Sequence, residues 1–175
     1  MSKLFLWAFA LISYFLISCD SSIRVADPKP PNILLILADD QRADAMGCSG
    51  NTYIQTPNLD KLASEGVRFT NACIMGGHHG AICAPSRAML MSGKSLFRVY
   101  DKLEGVETMP KFFRDQGYET FGTGKWHNEK SAFETAFTKG QHVFLGGMCD
   151  HYQVPGRDLG EDGILKEPVV KEGFS

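Results

Sequence analysis

The sequence predicts an α/β domain, and three observations carry that prediction. An unbroken apolar run, Ile33–Ala38, lies between Pro30-Pro31 and Asp39-Asp40, the pattern of a strand buried on both faces. Segments with helix start and stop residues follow it. Between those segments stand short apolar stretches bounded by glycine and polar turns, so strands and helices alternate along the chain.

Taken in order, Ile33–Ala38 reads as a central parallel strand. Thr56 offers an N-cap with Pro57 at the first helical position, Leu59 and Leu62 share one face, and Gly66 supplies the stop. Val67–Ile74 alternates enough to be another strand. After the loop Gly76-Gly77-His78-His79-Gly80, a helix opens at Cys83-Ala84-Pro85-Ser86-Arg87, with Pro85 suited to its first turn. Arg87 stands one helical turn after Cys83, on the same side of the helix mouth. Thr108 can cap a helix running through Phe112 and Phe113 to Gly117, and Tyr118–Phe121 reads as a strand ending just before Lys125. Ligands of such sheets bind beyond the carboxyl ends of the strands. Asp39 and Asp40 follow one strand and Lys125 and His127 another, so both pairs are expected to face one crevice. Two positions apart in an extended segment, Lys125 and His127 are expected to point the same way. No internal repeat is visible.

A chain of 175 residues, 43% hydrophobic with net charge −2, can bury one core and reads as one domain at most. Its lysines and arginines are scattered, which gives no footprint for nucleic acid. Met1–Cys19 carries Lys3 and then an apolar run, Leu4–Ile17, broken only by Ser13. That is the pattern of an export signal, short for a membrane span. Leu16-Ile17-Ser18-Cys19 resembles a bacterial lipobox, with Cys19 as the lipidated first residue of the mature chain; a simple secretory signal is the alternative. Residues 1–18 are then a signal peptide, 19–30 a tether and 31–175 the folded domain, exported to the periplasm or cell surface and anchored to the membrane by lipid. Setting aside Cys19 and Cys83 leaves Cys48, Cys73 and Cys149, which cannot all pair within one chain; one disulfide is permitted and none demanded.

Several residue types point to chemistry. Adjacent carboxylates at a strand end, Asp39 and Asp40, suit a hard divalent cation, although an isolated Asp-Asp pair is more often a polar turn. A helix N-terminus with Arg87 beside it suits an anion. Lys125-Trp126-His127 alone would read as a surface turn. His78 and His79 sit in a glycine-rich loop, exposed or lining a substrate pocket, while Arg68, Lys94, His142 and His151 read as ordinary surface charge.

Cys83-Ala84-Pro85-Ser86-Arg87, followed by Leu90 and Ser92-Gly93-Lys94, resembles the signature of the formylglycine-dependent sulfatases. Pro31–Asp40, Thr56–Phe69 and Gly122–His127 agree with the same family in order and spacing, so the match runs from Pro31 to at least His127. The resemblance implies an alkaline phosphatase-like fold, a mixed, mostly parallel sheet flanked by helices. It implies sulfuric ester hydrolysis on a sulfated carbohydrate or aryl sulfate, with Cys83 oxidised to formylglycine by a maturation enzyme that reads Pro85 and Arg87. One hydroxyl of the aldehyde hydrate attacks sulfur; the other expels sulfate as the aldehyde re-forms. Ca2+, or less often Mg2+, is held by Asp39, Asp40 and residue 83 with ligands from later in the chain. Arg87 holds the hydrate and supports the carboxylates, Lys125 neutralises sulfate oxygens, and His127 contacts hydrate or sulfate. The family's remaining ligands, a second lysine and another histidine fall beyond the matched region. The fold is therefore expected to be incomplete on its C-terminal side, with the chain the amino-terminal portion of a sulfatase and little or no turnover by the 175 residues alone. A phosphonate or phosphate ester hydrolase of the same superfamily is an alternative. So is a non-catalytic lipoprotein that binds sulfated glycans.

Overall fold

The computed structural model describes residues 29–80 and 82–170. The expected export segment, the expected lipidation site Cys19 and residues 20–28 of the expected tether lie outside the described residues. Two compact units divide the chain, Met1–Leu37 and Ala38–Ser175.

In the first unit, residues 29–37 form no helix or strand, and the apolar side chains of Ile33–Leu37 are exposed. The central strand expected at Ile33–Ala38 is thereby corrected. Apolar side chains mark a segment for burial, but a strand exists only where its N–H and C=O groups meet those of a neighbour. No ladder among the described residues includes this run.

The second unit opens with a 3-10 turn, Gly47–Ser49, followed by α1 (Pro57–Glu65), with proline at its first turn as expected. Thr56 holds the N-cap position without capping through its side chain. Its hydroxyl instead accepts from the Gly47 N–H at 2.9 Å and donates to Asp60 Oδ1 at 3.0 Å, while Asp60 also accepts from Cys48 N–H at 2.6 Å. The capping residue is spent on fastening the preceding turn to the helix. Leu59 and Leu62 remain exposed. Val67–Ile74 forms no strand, a second correction with the same cause as the first: the alternating pattern has no partner ladder among the described residues.

Helix α2 (Cys83–Ser92) stops at Gly93, whose φ of 66° is the left-handed conformation glycine adopts without steric cost. After the 3-10 turn Leu96–Arg98 comes α3 (Met109–Asp115), begun as expected at Thr108. The Thr108 hydroxyl, however, is buried without a hydrogen-bond partner among the described residues. β1 (Phe121–Lys125), α4 (Lys130–Ala136) and β2 (Lys139–Phe144) then form a strand-helix-strand unit with a parallel ladder, the helix making the crossover that parallel strands need.

The strand expected at Tyr118–Phe121 lies further along the chain. Thr120 and Thr138 bond each other through their hydroxyls: Thr120 N–H donates to Thr138 Oγ1 at 2.9 Å and Thr138 Oγ1 donates to the Thr120 carbonyl at 2.8 Å. The Thr120 carbonyl also accepts from the Thr138 and Lys139 N–H groups at 3.0 Å, and the ladder runs from Phe121, paired with Lys139, to Lys125, which closes the strand rather than following it. The register slips after Thr123 opposite Gln141, and Gly124 pairs with Val143. His142 is the extra residue, with φ 51°, facing Gly124 at φ 77°.

Phe133 of α4 explains the glycines that obscure these strands. It is almost wholly buried across Gly122 and Gly140, and a Cβ at either position would lie 2.7 Å from its ring. Trp126 meets Phe133 edge-on at 5.5 Å, and Phe137 stacks on Phe133 at 4.5 Å. Ala88, Val99, Leu103, Val143 and Leu165 complete this core, so α2 is packed onto the strand-helix-strand unit through Ala88. On the other flank of β2, Val143 and Arg157 exchange backbone bonds at 2.8 and 2.9 Å, and β3 (Pro155–Gly156) pairs antiparallel with β4 (Val169–Val170). Helices with a small parallel ladder and antiparallel additions make this an α/β arrangement. Cys48, Cys73, Cys83 and Cys149 form no disulfide among the described residues.

Candidate active site

The site is built where α2 meets the end of β1. Cys83 is half-buried in the first turn of α2, and Pro85, Arg87 and Ala88 are buried on that helix. An arginine only 8% exposed needs partners that replace water. Arg87 finds two: its Nη1 donates to the Lys125 carbonyl, and its Nη2 lies 3.5 Å from Asp39 Oδ1. Lys125, at the end of β1, donates from Nζ to the second oxygen of Asp39 at 2.6 Å. A carboxylate gripped at both oxygens by two cations is the centre of the cluster. The Lys125 hydrogen bond, then the charges of Lys125 and Arg87, outweigh partial burial and hold the Asp39 carboxyl below its ordinary range.

His127 follows Lys125 by two positions but leaves the extended conformation. Its φ is 56°, in the left-handed region uncommon for a side-chain-bearing residue. Burial, then the nearby positive charges of Lys125 and Arg87, push its pKa down, so the imidazole is neutral at pH 7. Nδ1 is buried without a hydrogen-bond partner among the described residues. The ring edge lies against Gly147, where a Cβ would sit 2.5 Å from Nε2. Only a residue without a side chain leaves room there.

Asn128 is a site neighbour that the sequence did not signal. It is buried, and its Nδ2 donates both to the Ala84 carbonyl, at 3.2 Å, and to the Asp101 carbonyl. One amide thus ties the first turn of the Cys83 helix to the segment that carries Lys125 and His127. A buried asparagine after Lys-Trp-His has no spacing or composition signature by which it could be found.

The fold thus brings Asp39, Arg87, Lys125 and His127 into one electrostatic cluster. Asp40 sits beside it at φ 54°, exposed and in no ion pair among the described residues. His78 and His79 are exposed, His78 making an edge contact with Phe97, and Lys94 and His151 are exposed as well. Arg68 donates to the Cys48 carbonyl in the turn before α1, and His142 marks the strand bulge near Asp158.

Whether these residues suit a divalent cation turns on donor type and number. Asp39 and Asp40 are hard oxygen donors, and the Lys125 ammonium already stands on Asp39 as a positive charge. Donor type therefore fits. The number does not close a shell: no group of three or more His, Cys, Asp or Glu able to hold a metal occurs among the described residues, so Asp39, Asp40 and Cys83 make no finished cage.

A family model described as Sulfatase matches residues 31–157. Among curated proteins, an N-acetylglucosamine-6-O-sulfatase of Bacteroides thetaiotaomicron is 33% identical over 174 residues, covering 94% of this chain and 28% of that protein. An ulvan-active sulfatase of Formosa agariphila is 37% identical over 127 residues, covering 67% of this chain and 24% of its own length. Human arylsulfatase A is 36% identical over 151 residues, covering 77% and 29% respectively. The chain spans between 24% and 29% of the length of these relatives.

Proposed function

The chain belongs to the sulfatase family, and on that premise we propose that it carries the nucleophile-bearing part of a sulfuric ester hydrolase acting on sulfated carbohydrates. One observation carries the reading: Arg87, on the helix that starts with Cys83, and Lys125 converge on Asp39. Permanent positive charge beside a half-buried helix N-terminus is what a sulfate monoanion requires. The names of the Bacteroides and Formosa relatives support carbohydrate as the substrate class.

Residue 83, converted by a maturation enzyme to formylglycine and hydrated, would supply one hydroxyl that attacks sulfur while the S–O bond to the substrate alcohol breaks and the alcohol leaves with a proton, and a second whose loss of a proton re-forms the aldehyde as the C–O bond to sulfate breaks. Asp39 and Asp40 would hold Ca2+, or Mg2+, together with further ligands, and a cation there would supply positive charge that favours a deprotonated hydroxyl. The chain's own residues do the rest. Arg87 is held by the Lys125 carbonyl and by Asp39, which fixes its guanidinium as a rigid fork of donors. Lys125 offers an ammonium to sulfate oxygens. His127, whose pKa is pushed down by burial and its cationic neighbours, favours the neutral imidazole, which can accept a hydrogen bond at one ring nitrogen and donate from the other to hydrate or sulfate. The alkaline phosphatase-like sheet, export, and lipid anchoring through Cys19 belong to the same reading and rest on the family and on the leader sequence.

Binding of N-acetylglucosamine-6-sulfate to the Cys83→Ala chain, compared by calorimetry with the unsulfated sugar and the 6-phosphate, tests the substrate class. The sulfated sugar should bind most tightly, and Lys125→Gln should weaken it about tenfold, the loss expected for one charge-assisted bond. Equal affinity for sulfated and unsulfated sugar contradicts the reading. Preference for the phosphate favours the phosphate ester hydrolase instead.

A further inference from the structure

We propose that Tyr100 and Asp101 form the sugar-binding side of the site: the exposed Tyr100 ring covers the apolar face of a pyranose, and the Asp101 carboxylate accepts hydrogen bonds from its hydroxyls. The assignment rests on the functional reading above for the sulfated carbohydrate itself.

The backbone of this segment is fixed beside the first turn of α2. Asn128 Nδ2 donates both to the Asp101 carbonyl and, at 3.2 Å, to the carbonyl of Ala84, the residue after Cys83. Glu129 N–H donates to the Lys102 carbonyl at 3.2 Å, and Leu103 N–H donates to the Tyr100 carbonyl at 3.1 Å. Val99 and Leu103, on either side, are buried in the core. Core residues at both ends and backbone bonds between them therefore hold Tyr100–Lys102 in place.

The two side chains held there have no partner of their own. Tyr100 is 89% exposed. A single exposed aromatic residue is ordinary, but this one adjoins a half-buried carboxylate that makes no ion pair and no side-chain hydrogen bond among the described residues. The charge of Asp101 reaches the site: burial, Lys125 and Arg87 push the His127 pKa down, and Asp39 and Asp101 pull it up. Arg87 and Lys125 are both engaged by Asp39, so neither is spent on Asp101. An ionised carboxylate repels a sulfate and accepts from neutral donors. An aromatic face beside such an acceptor complements a pyranose, whose C–H face is apolar and whose rim carries hydroxyls. Because the segment is already fixed, little ordering remains to be lost when a sugar covers it.

Calorimetry on the Cys83→Ala chain tests the assignment, with N-acetylglucosamine-6-sulfate, phenyl sulfate and inorganic sulfate as titrants. Tyr100→Ala should weaken the sulfated sugar about fivefold, and Tyr100→Phe, which keeps the ring, should not. Asp101→Ala, which keeps the backbone bond to Asn128, should weaken the sugar about tenfold and leave phenyl sulfate no weaker. Inorganic sulfate should bind every variant at least as tightly as the parent chain. Sugar affinity unmoved by either alanine substitution, or inorganic sulfate weakened in step with the sugar, overturns the assignment and leaves the functional reading in place. Sulfated and unsulfated sugar bound equally by the parent chain overturns the functional reading, while the two substitutions still read the sugar contact. No binding of the sugar by the parent chain overturns both.

Discussion

Lys125 and Asp39 stand 86 positions apart in sequence, and the ammonium of one donates to the carboxylate of the other at 2.6 Å. The pair fastens the segment at Ala38–Asp40 to the end of β1, and its acid dependence follows from its chemistry. The folded pKa of Asp39 lies below its ordinary 3.8, so its stabilisation is complete above that value and is lost as pH falls through the folded pKa. Because the Asp39 side chain is 42% exposed, the contribution is screened to about 1 kcal/mol or less. Thermal melts of wild type and Asp39→Asn should differ at pH 6 and converge on strong acidification. Equal melting temperatures at pH 6 would show that the pair contributes nothing.

His127 should titrate below its ordinary 6.5, through burial first and the charges of Lys125 and Arg87 second. Nuclear magnetic resonance of the ring protons across pH measures this directly. Lys125→Gln removes one of the repelling charges, and the midpoint should rise. Gly147→Ala should also shift it, because a Cβ 2.5 Å from Nε2 displaces the ring from its present surroundings. A midpoint indifferent to both substitutions would separate His127 from the cluster.

Phe133 across the glycine pair is the most sensitive point of the core. Gly122→Ala or Gly140→Ala places a Cβ 2.7 Å from its ring and should destabilise the fold by about 1–3 kcal/mol in urea titrations. Phe133→Leu alone should also destabilise, by leaving space. Combined with Gly140→Ala it should lose less than the two separate losses added together, since each change relieves the other. Simple additivity would place the ring elsewhere.

What the sequence reveals and what it hides divides along physical lines. Helices announce themselves locally, and Pro57 and Thr108 mark real beginnings as Gly66 marks a real end. Strands depend on partners far away in the chain, which is why the apolar runs at Ile33–Ala38 and Val67–Ile74 read as strands and are not. The strand that does form contains Gly122 and Gly124, poor strand residues whose presence makes sense only once Phe133 lies against the first and the bulge at His142 faces the second. Of the site, Arg87 beside Cys83 follows from helical spacing alone. The meeting of Asp39 with Lys125 does not, and neither does Asn128, whose role is set by two carbonyls distant in sequence.

Asn128→Ala should therefore act on the Cys83 helix from a distance. Loss of the two bonds should cost about 1–3 kcal/mol and, by freeing the first turn of α2, speed alkylation of the Cys83 thiol while leaving the exposed Cys73 unchanged. Peptide mapping of iodoacetamide uptake separates the two. Equal acceleration at both cysteines would mean general loosening rather than a tie to α2.

The central claim is that residue 83 becomes an aldehyde beside the cations gathered on Asp39. Mass spectrometry of the peptide spanning residue 83, from protein produced together with a formylglycine-generating enzyme, measures it most directly. The account predicts a peptide in which the thiol sulfur has been replaced by a carbonyl oxygen that reacts with a hydrazide, and predicts that Pro85→Ala or Arg87→Ala sharply reduces the conversion. An intact Cys83 thiol in the wild-type chain under those conditions would contradict it.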